Sequence, residues 1–272
     1  MQLRILGTAA AEGIPGIFCR CELCKKARAL GGKNLRTRSG AMIDGRVLID
    51  FSADSYHHAL RDGLDLAAAD ALLVTHAHAD HLYPADIAMR EPVFSHLCGA
   101  PEKLAVYGPE VVGEWLMPFV SAPESRATYT LTKAFEAFTL PSGHEVLPLT
   151  ALHNRAMTCL FYRVRKDGRA MLYGHDTGLF PEETMRALAG EPLHVVTLDC
   201  TFCGQSDGAN HMGFPDCLTM RERLRDAGCV TEETRFIITH FSHNGGMMHE
   251  ELCAMAHPHG FEVAYDGMVV EV

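Results

Sequence analysis

The sequence predicts an α+β chain in which β-sheets pack on one another and helices cover the outside. Three observations carry that expectation. An early section is dominated by short apolar runs; a later section alternates such runs with helix-like stretches; and polar residues gather just beyond the ends of the apolar runs.

In chain order, β-like runs fall at Leu3–Leu6, Ala41–Ile43, Val47–Ile49, Ala71–Thr75 and Ala105–Tyr107, and then at Glu145–Leu149, Cys159–Val164, Ala170–Tyr173, Val195–Leu198, Phe236–Thr239 and Val263–Ala264. Helical periodicity marks Asp54–Asp62, Pro109–Phe119, Pro181–Ala189, Phe214–Ala227 and His249–Met255. Asp44-Gly45-Arg46 and Lys166-Asp167-Gly168 sit between pairs of apolar runs and read as hairpin turns. No linker, repeat or charge block divides the chain, so residues 1–272 are expected to form one domain.

Composition narrows the class. With 47% hydrophobic and 21% charged residues, the chain resembles an ordinary globular protein, and no apolar run approaches the roughly 20 residues that span a bilayer. Met1 to Gly7 starts as a strand rather than as a signal peptide, so a cytoplasmic location and no membrane partner are expected. A net charge of −10 argues against an extended nucleic-acid surface. Ten cysteines in a chain of this length imply metal ligands and buried thiols rather than a disulfide framework. Cys98, Cys159, Cys217, Cys229 and Cys253 lie in apolar or helical contexts and are expected to be buried. Cys200 and Cys203, despite C-x-x-C spacing, read as thiols of a loop.

The chemistry concentrates in Thr75-His76-Ala77-His78-Ala79-Asp80-His81, directly after an apolar run. Neutral imidazole and carboxylate are ligands for Zn²⁺ and similar ions, and three imidazoles plus a carboxylate exceed what one ion can use. Further polar residues follow later runs: His153, Asp176, Asp199 and His240. No phosphate-cradling glycine motif accompanies them.

The ordered series His76, His78, Asp80, His81, then His153, then Asp176 within Gly174-His175-Asp176-Thr177-Gly178, then His240 resembles the metallo-β-lactamase superfamily along nearly the whole chain. The resemblance implies an αββα sandwich: two mixed β-sheets with helices on the outer faces and a two-metal site at one edge. It implies one ion on His76, His78 and His153, and another on Asp80, His81 and His240. Asp176 and a water or hydroxide would bridge them. The ions could be Zn or Mn, or Fe. Asp199 would orient a ligand imidazole from behind, and His175 would project elsewhere, either supporting a ligand from behind or serving the structure.

A second cluster, Cys19-Arg20-Cys21-Glu22-Leu23-Cys24, places three thiols within six residues. Three thiolates need a fourth ligand to close a tetrahedral structural Zn²⁺ site, and His243 in His240-Phe241-Ser242-His243 is the best candidate. With this pairing, the chain resembles the PhnP-like cyclic phosphodiesterases of the carbon–phosphorus lyase pathway. A zinc loop at about 16–25 would then clip onto the loop carrying His240. Gly7-Thr8, Val106-Tyr107-Gly108-Pro109 and Gly260 to Met268 match as well.

The implied activity is hydrolysis of a small phosphate ester, such as a cyclic ribosyl phosphate, with Asp80 orienting the attacking hydroxide. His211, at the position of a substrate-contacting histidine, would serve transition-state charge or the leaving group, although Met212-Gly213-Phe214 departs from the more polar family sequence. Alternatives remain: an RNA 3′-processing endonuclease, a thioester or lactam hydrolase, or a non-catalytic metal-binding carrier of the pyrroloquinoline quinone biosynthesis type. Asp86–Phe94 and Val111–Val120 could line a pocket or a homodimer contact.

Overall fold

The computed structural model describes residues 1–206 and 208–272. Its first sheet runs in the order β14 (Val269–Glu271), β1 (Gln2–Gly7), β2 (Gly40–Ile43), β3 (Val47–Ile49), β4 (Ala71–Leu73), β5 (Leu104–Gly108) and β6 (Ala127–Leu131). The second runs β13 (Phe261–Val263), β12 (Val230–Thr239), β11 (Leu193–Asp199), β10 (Arg169–Gly174), β9 (Leu160–Lys166), β8 (Glu145–Thr150) and β7 (Phe138–Thr139). Both are mixed. From β14 to β3 and from β7 to β10 neighbours pair antiparallel; from β3 to β6 and from β10 to β13 they pair parallel.

Strand alternation gives three apolar layers. Ile49, Ala71 and Leu73 from one sheet meet Tyr162, Met171 and Tyr173 from the other in the central layer. Residues one position away face outward. Leu48 and Leu72 pack with Val112 and Leu116 of α3 (Glu110–Val120). On the other side, Leu172, Val196 and Ile238 pack against α4 (Glu182–Leu188), α5 (Phe214–Asp226) and α6 (His249–Ala256), and Ala27 of α1 (Glu22–Leu30) joins them. The remaining helix, α2 (Ser55–Asp62), ends at Gly63 in the left-handed conformation (φ 63°). The layers are therefore helix, sheet, sheet, helix.

Both expected hairpins form. Asp44 and Gly45 (φ 50° and 65°) and Asp167 and Gly168 (φ 50° and 76°) take the paired positive φ of a tight turn. The apolar pattern did not announce α1, β6, β7 or β14. Strand β6 is a largely exposed sheet edge, and α1 has a polar sequence with only Cys24 and Ala27 buried. Two cysteines depart from expectation: Cys98 is exposed on a loop with φ 44°, and Cys253 is half-buried. Asp86, Ile87, Met89 and Arg90 line an apolar cavity of about 590 Å³ with Leu48, Phe51 and Leu104.

No helix among the described residues is long and apolar enough to cross a membrane. Strand β3 runs into Asp50, β4 stops two residues before Thr75, β10 and β11 end at Gly174 and Asp199, β12 runs into His240, and these strand ends carry the candidate site.

Candidate metal centre

Four groups of ligand-type atoms converge among the described residues: His76, His78 and His153; Asp80, His81, Asp176 and His240; Asp176, Asp199, His211 and His240, which shares two members with the second; and Cys19, Cys21, Cys24 and His243. The structure thus brings together every residue anticipated as a ligand.

In the first group, His76 Nε2 lies 2.9 Å and His153 Nε2 lies 3.2 Å from His78 Nδ1. Two imidazole nitrogens on one tetrahedral zinc are separated by about 3.3 Å. In the second, His81 Nε2 is 3.2 Å from Asp80 Oδ2 and 2.5 Å from Asp176 Oδ2, and His240 Nε2 is 3.0 Å from Asp176 Oδ1. Asp176 Oδ2 also approaches His76 Nε2 at 3.4 Å. One carboxylate therefore touches both groups. His81 Nε2, Asp176 Oδ1 and His240 Nε2 are enclosed and make no hydrogen bond. Buried polar atoms left without hydrogen bonds, facing one another across a common point, fit a pair of divalent cations.

The opposite nitrogen of each ring is held from behind. His76 Nδ1 contacts Thr75 Oγ1 at 3.0 Å, His81 Nδ1 contacts Asp50 Oδ2 at 2.7 Å, and His240 Nδ1 contacts Thr201 Oγ1 at 2.9 Å. His153 Nδ1 donates to the Asn210 carbonyl at 3.3 Å. His78 is turned the other way, with its Nε2 3.1 Å from the Asn154 amide and its Nδ1 inward. Such contacts fix which nitrogen meets a metal. Asp50, Thr75, Asn154 and Thr201 escaped the sequence reading, because nothing in their spacing links them to the histidines they hold until the chain is folded.

Backbone strain marks the same place. Asp50, Asp176 and His240 have φ of 60°, 47° and 62°, a left-handed region costly for side-chain-bearing residues. Burial keeps the His76 imidazole well below its ordinary value, hence neutral as a ligand must be. For Asp176, burial would raise the carboxyl, but His240, His81 and His76 outweigh it and hold it well below the usual range.

His211 lies beside this centre. Its Nδ1 is 2.9 Å from Asp199 Oδ2 and 3.4 Å from Asp176 Oδ1. Burial opposes its charged form, yet Asp199 prevails and pushes the imidazole up to about 9. Asp199 is fully buried; its Oδ1 accepts from the Thr201 and Met212 amides, and its Oδ2 is 3.5 Å from His240 Nδ1. The His211 loop is pinned at Gly213, where a Cβ would lie 1.5 Å from the Gln205 carbonyl oxygen. Cys200 and Cys203 are buried beneath this loop, so Thr201, not the thiols, faces the site. His175, with Nε2 2.9 Å from Thr197 Oγ1, is directed into the core.

The thiol cluster is the most regular. His243 Nδ1 lies 3.4, 3.4 and 3.5 Å from the sulfurs of Cys19, Cys21 and Cys24. Tetrahedral zinc with sulfur and nitrogen ligands separates them by about 3.5 Å. Amides of Cys21, Cys24 and Gly16 donate to the sulfurs of Cys19, Cys21 and Cys24; His243 and the Cys24 amide pull the Cys21 thiol down to about 6, whereas burial pushes Cys24 up to about 11. Cys21 also caps α1.

A family model described as a β-lactamase superfamily domain matches residues 45–241. Among solved structures, a diphosphatase of the PhnP family superposes with a TM-score of 0.78 at 25% identity, covering 100% of this chain and 97% of that one. Zn²⁺-bound PqqB from Methylobacterium extorquens superposes with a TM-score of 0.75 at 19% identity, covering 100% of both chains. Among curated proteins, ribonuclease Z of Listeria innocua is 25% identical over 134 residues, 48% of this chain and 38% of that protein. An octanoyltransferase of Porphyromonas gingivalis is 36% identical over 86 residues, 30% of this chain and 16% of that protein. The chain therefore spans well under two thirds of either curated relative.

Proposed function

We infer, since this chain belongs to the β-lactamase superfamily and has the metallo-β-lactamase hydrolase fold, that it is a metal-dependent phosphodiesterase acting on a small phosphate ester. The observation that carries this is the placement of Asp176, whose oxygens reach both ligand groups while His211 stands 3.4 Å away on the same face. A charged imidazole beside a paired cation site suits a phosphodiester, whose hydrolysis needs stabilised phosphoryl oxygens and a proton for the departing alkoxide.

The residues that would hold one ion are His76, His78 and His153; those for the other are Asp80, His81 and His240, with Asp176 shared. The ions, when bound, supply Lewis acidity and acidify water at neutral pH. The chain's own residues do the rest. Asp80, buried at the edge of the second group, would orient the attacking water by accepting a hydrogen bond from it. His211, aligned by Asp199, gives a proton to the leaving oxygen. Cys19, Cys21, Cys24 and His243 would hold a separate structural Zn²⁺ tying the N-terminal loop to the loop of His240.

The net charge of −10 supports a small ester over an RNA helix as substrate; similarity to the PhnP-family diphosphatase supports a phosphate-containing substrate, with a cyclic ribosyl phosphate as the specific form we propose. Side-by-side assays with bis(p-nitrophenyl) phosphate and with p-nitrophenyl acetate and thioester substrates test this. Preferential turnover of the phosphodiester is expected. Turnover of the acyl compounds alone would assign the centre to a carbonyl substrate.

A further inference from the structure

The side chain of Thr201 sits where the two halves of the proposed machinery meet. Its Oγ1 is 2.9 Å from His240 Nδ1, 2.9 Å from the His240 carbonyl oxygen and 3.2 Å from His211 Nδ1. Its amide donates to Asp199 Oδ1 at 2.9 Å, so the carboxylate that aligns His211 also holds the Thr201 backbone. Thr201 is buried, and little water is available to replace its contacts.

A hydroxyl has one proton to donate and two lone pairs to accept with. The His240 carbonyl can only accept, so the Thr201 proton goes there. The oxygen is then left to accept from His240 Nδ1–H, which leaves Nε2 unprotonated and turned toward Asp176. Its second lone pair faces His211 Nδ1, whose proton is shared with Asp199. A single hydroxyl is thus bonded to the ring and to the backbone of a residue held at φ 62°, and it is within reach of the neighbouring acid.

We propose that Thr201 is a positioning residue that locks the tautomer and strained backbone of His240 for metal binding and sets the spacing between His240 and His211. The inference rests on the functional reading above. Among the described residues no other contact to His240 Nδ1 is as close; Asp199 Oδ2 is 3.5 Å away and is already bonded to His211. Without the hydroxyl, Asp199 would have to serve both imidazoles, and the 14° near-parallel arrangement of the His211 and His240 rings would lose its spacer.

The test compares the wild-type chain with Thr201→Val, which keeps the shape and removes the hydroxyl, and with Thr201→Ser, which restores it. Thr201→Ala repeats the deletion without a branched side chain. Metal content is read by elemental analysis after equilibration with graded chelator, alongside turnover of bis(p-nitrophenyl) phosphate and of a dialkyl phosphodiester. Loss of a positioning contact of this kind lowers metal affinity about 10- to 100-fold. Thr201→Val and Thr201→Ala are therefore expected to release one ion at about tenfold lower chelator or less, and to lose more turnover on the alkyl ester than on the aryl ester. Thr201→Ser should return both properties toward wild type. Unchanged metal retention in the hydroxyl-free variants, or failure of Thr201→Ser to rescue, would overturn the proposal. A wild-type chain binding no ions at this centre would instead overturn the functional reading beneath it.

Discussion

Asp50 Oδ2 stands 2.7 Å from His81 Nδ1, while the other ring nitrogen of His81 faces Asp176 Oδ2 at 2.5 Å. The imidazole is held between two buried carboxylates. Asp50 also accepts from the amide and hydroxyl of Thr75 at 2.8 and 2.9 Å, so it anchors the first residue of the histidine-rich loop as well as its last.

Replacing Asp50 should therefore weaken the centre without touching an ion. Asparagine tolerates the positive φ of this position but removes the charge behind His81. Asp50→Asn is expected to lower affinity for one active-site ion about 10- to 100-fold, read by competition with a chelator. Wild-type affinity would show that His81 needs no carboxylate behind it.

The acid role of His211 predicts a dependence on leaving group. A p-nitrophenolate departs without a proton, whereas an alkoxide needs one. His211→Ala should cost about 10²- to 10⁴-fold on a dialkyl phosphodiester and much less on an aryl one. Equal losses on both would remove the acid role.

Asp199 should set the pH range of that step. The acid form of His211 is present below its pKa, raised to about 9 chiefly by Asp199 against the opposing effect of burial, and is lost as pH rises through that value. Asp199→Asn removes the raising charge, so the alkaline limb of the pH–kcat profile is expected to move to lower pH. A limb that stays in place would assign it to another group.

Cys21→Ser tests the thiol cluster separately. Serine keeps an oxygen that can cap α1, where Cys21 Sγ now accepts from the Cys24 amide, but it is a poor zinc ligand. The variant is expected to lose one tightly held Zn²⁺ while retaining the active-site ions. Unchanged zinc content would contradict a structural site there.

Stability should carry a signature of His58. Burial, with Arg61 adding to it, pulls His58 down to about 4, and its Nε2 lies 2.7 Å from Thr37 Oγ1. Above an unfolded value of about 6.5 neither state binds the proton. As pH falls from there toward 4, the unfolded chain takes up a proton that the folded chain refuses, costing up to about 3 kcal/mol. His58→Gln should flatten the fall of Tm across that window relative to wild type; parallel curves would show that His58 titrates normally.

Much of the centre was legible in the sequence because its densest part is local. Residues His76 to His81 lie in one loop, and Cys19 to Cys24 in another, so their chemistry shows in the spacing alone. His153, Asp176 and His240 became readable through their order along the chain. Asp50, Asn154 and Thr201 did not, since their roles exist only as contacts across loops that separate strands bring together. The sandwich was visible in the doubly buried strands, such as Ala71–Leu73, whose residues alternate between two apolar layers. Strand β6 was not, because an exposed sheet edge needs no apolar run.

The most direct test of the account is the Asp176→Asn chain, assayed for metal content and for hydrolysis of bis(p-nitrophenyl) phosphate beside wild type. Asparagine is nearly isosteric and tolerates the φ of 47° at this position, so the fold should survive, as checked by circular dichroism. The account predicts that the folded variant keeps its thiol-bound zinc, loses tight binding at the active-site centre, and loses phosphodiester turnover with it. Full turnover by a folded Asp176→Asn chain would contradict a shared-carboxylate metal centre as the seat of the reaction.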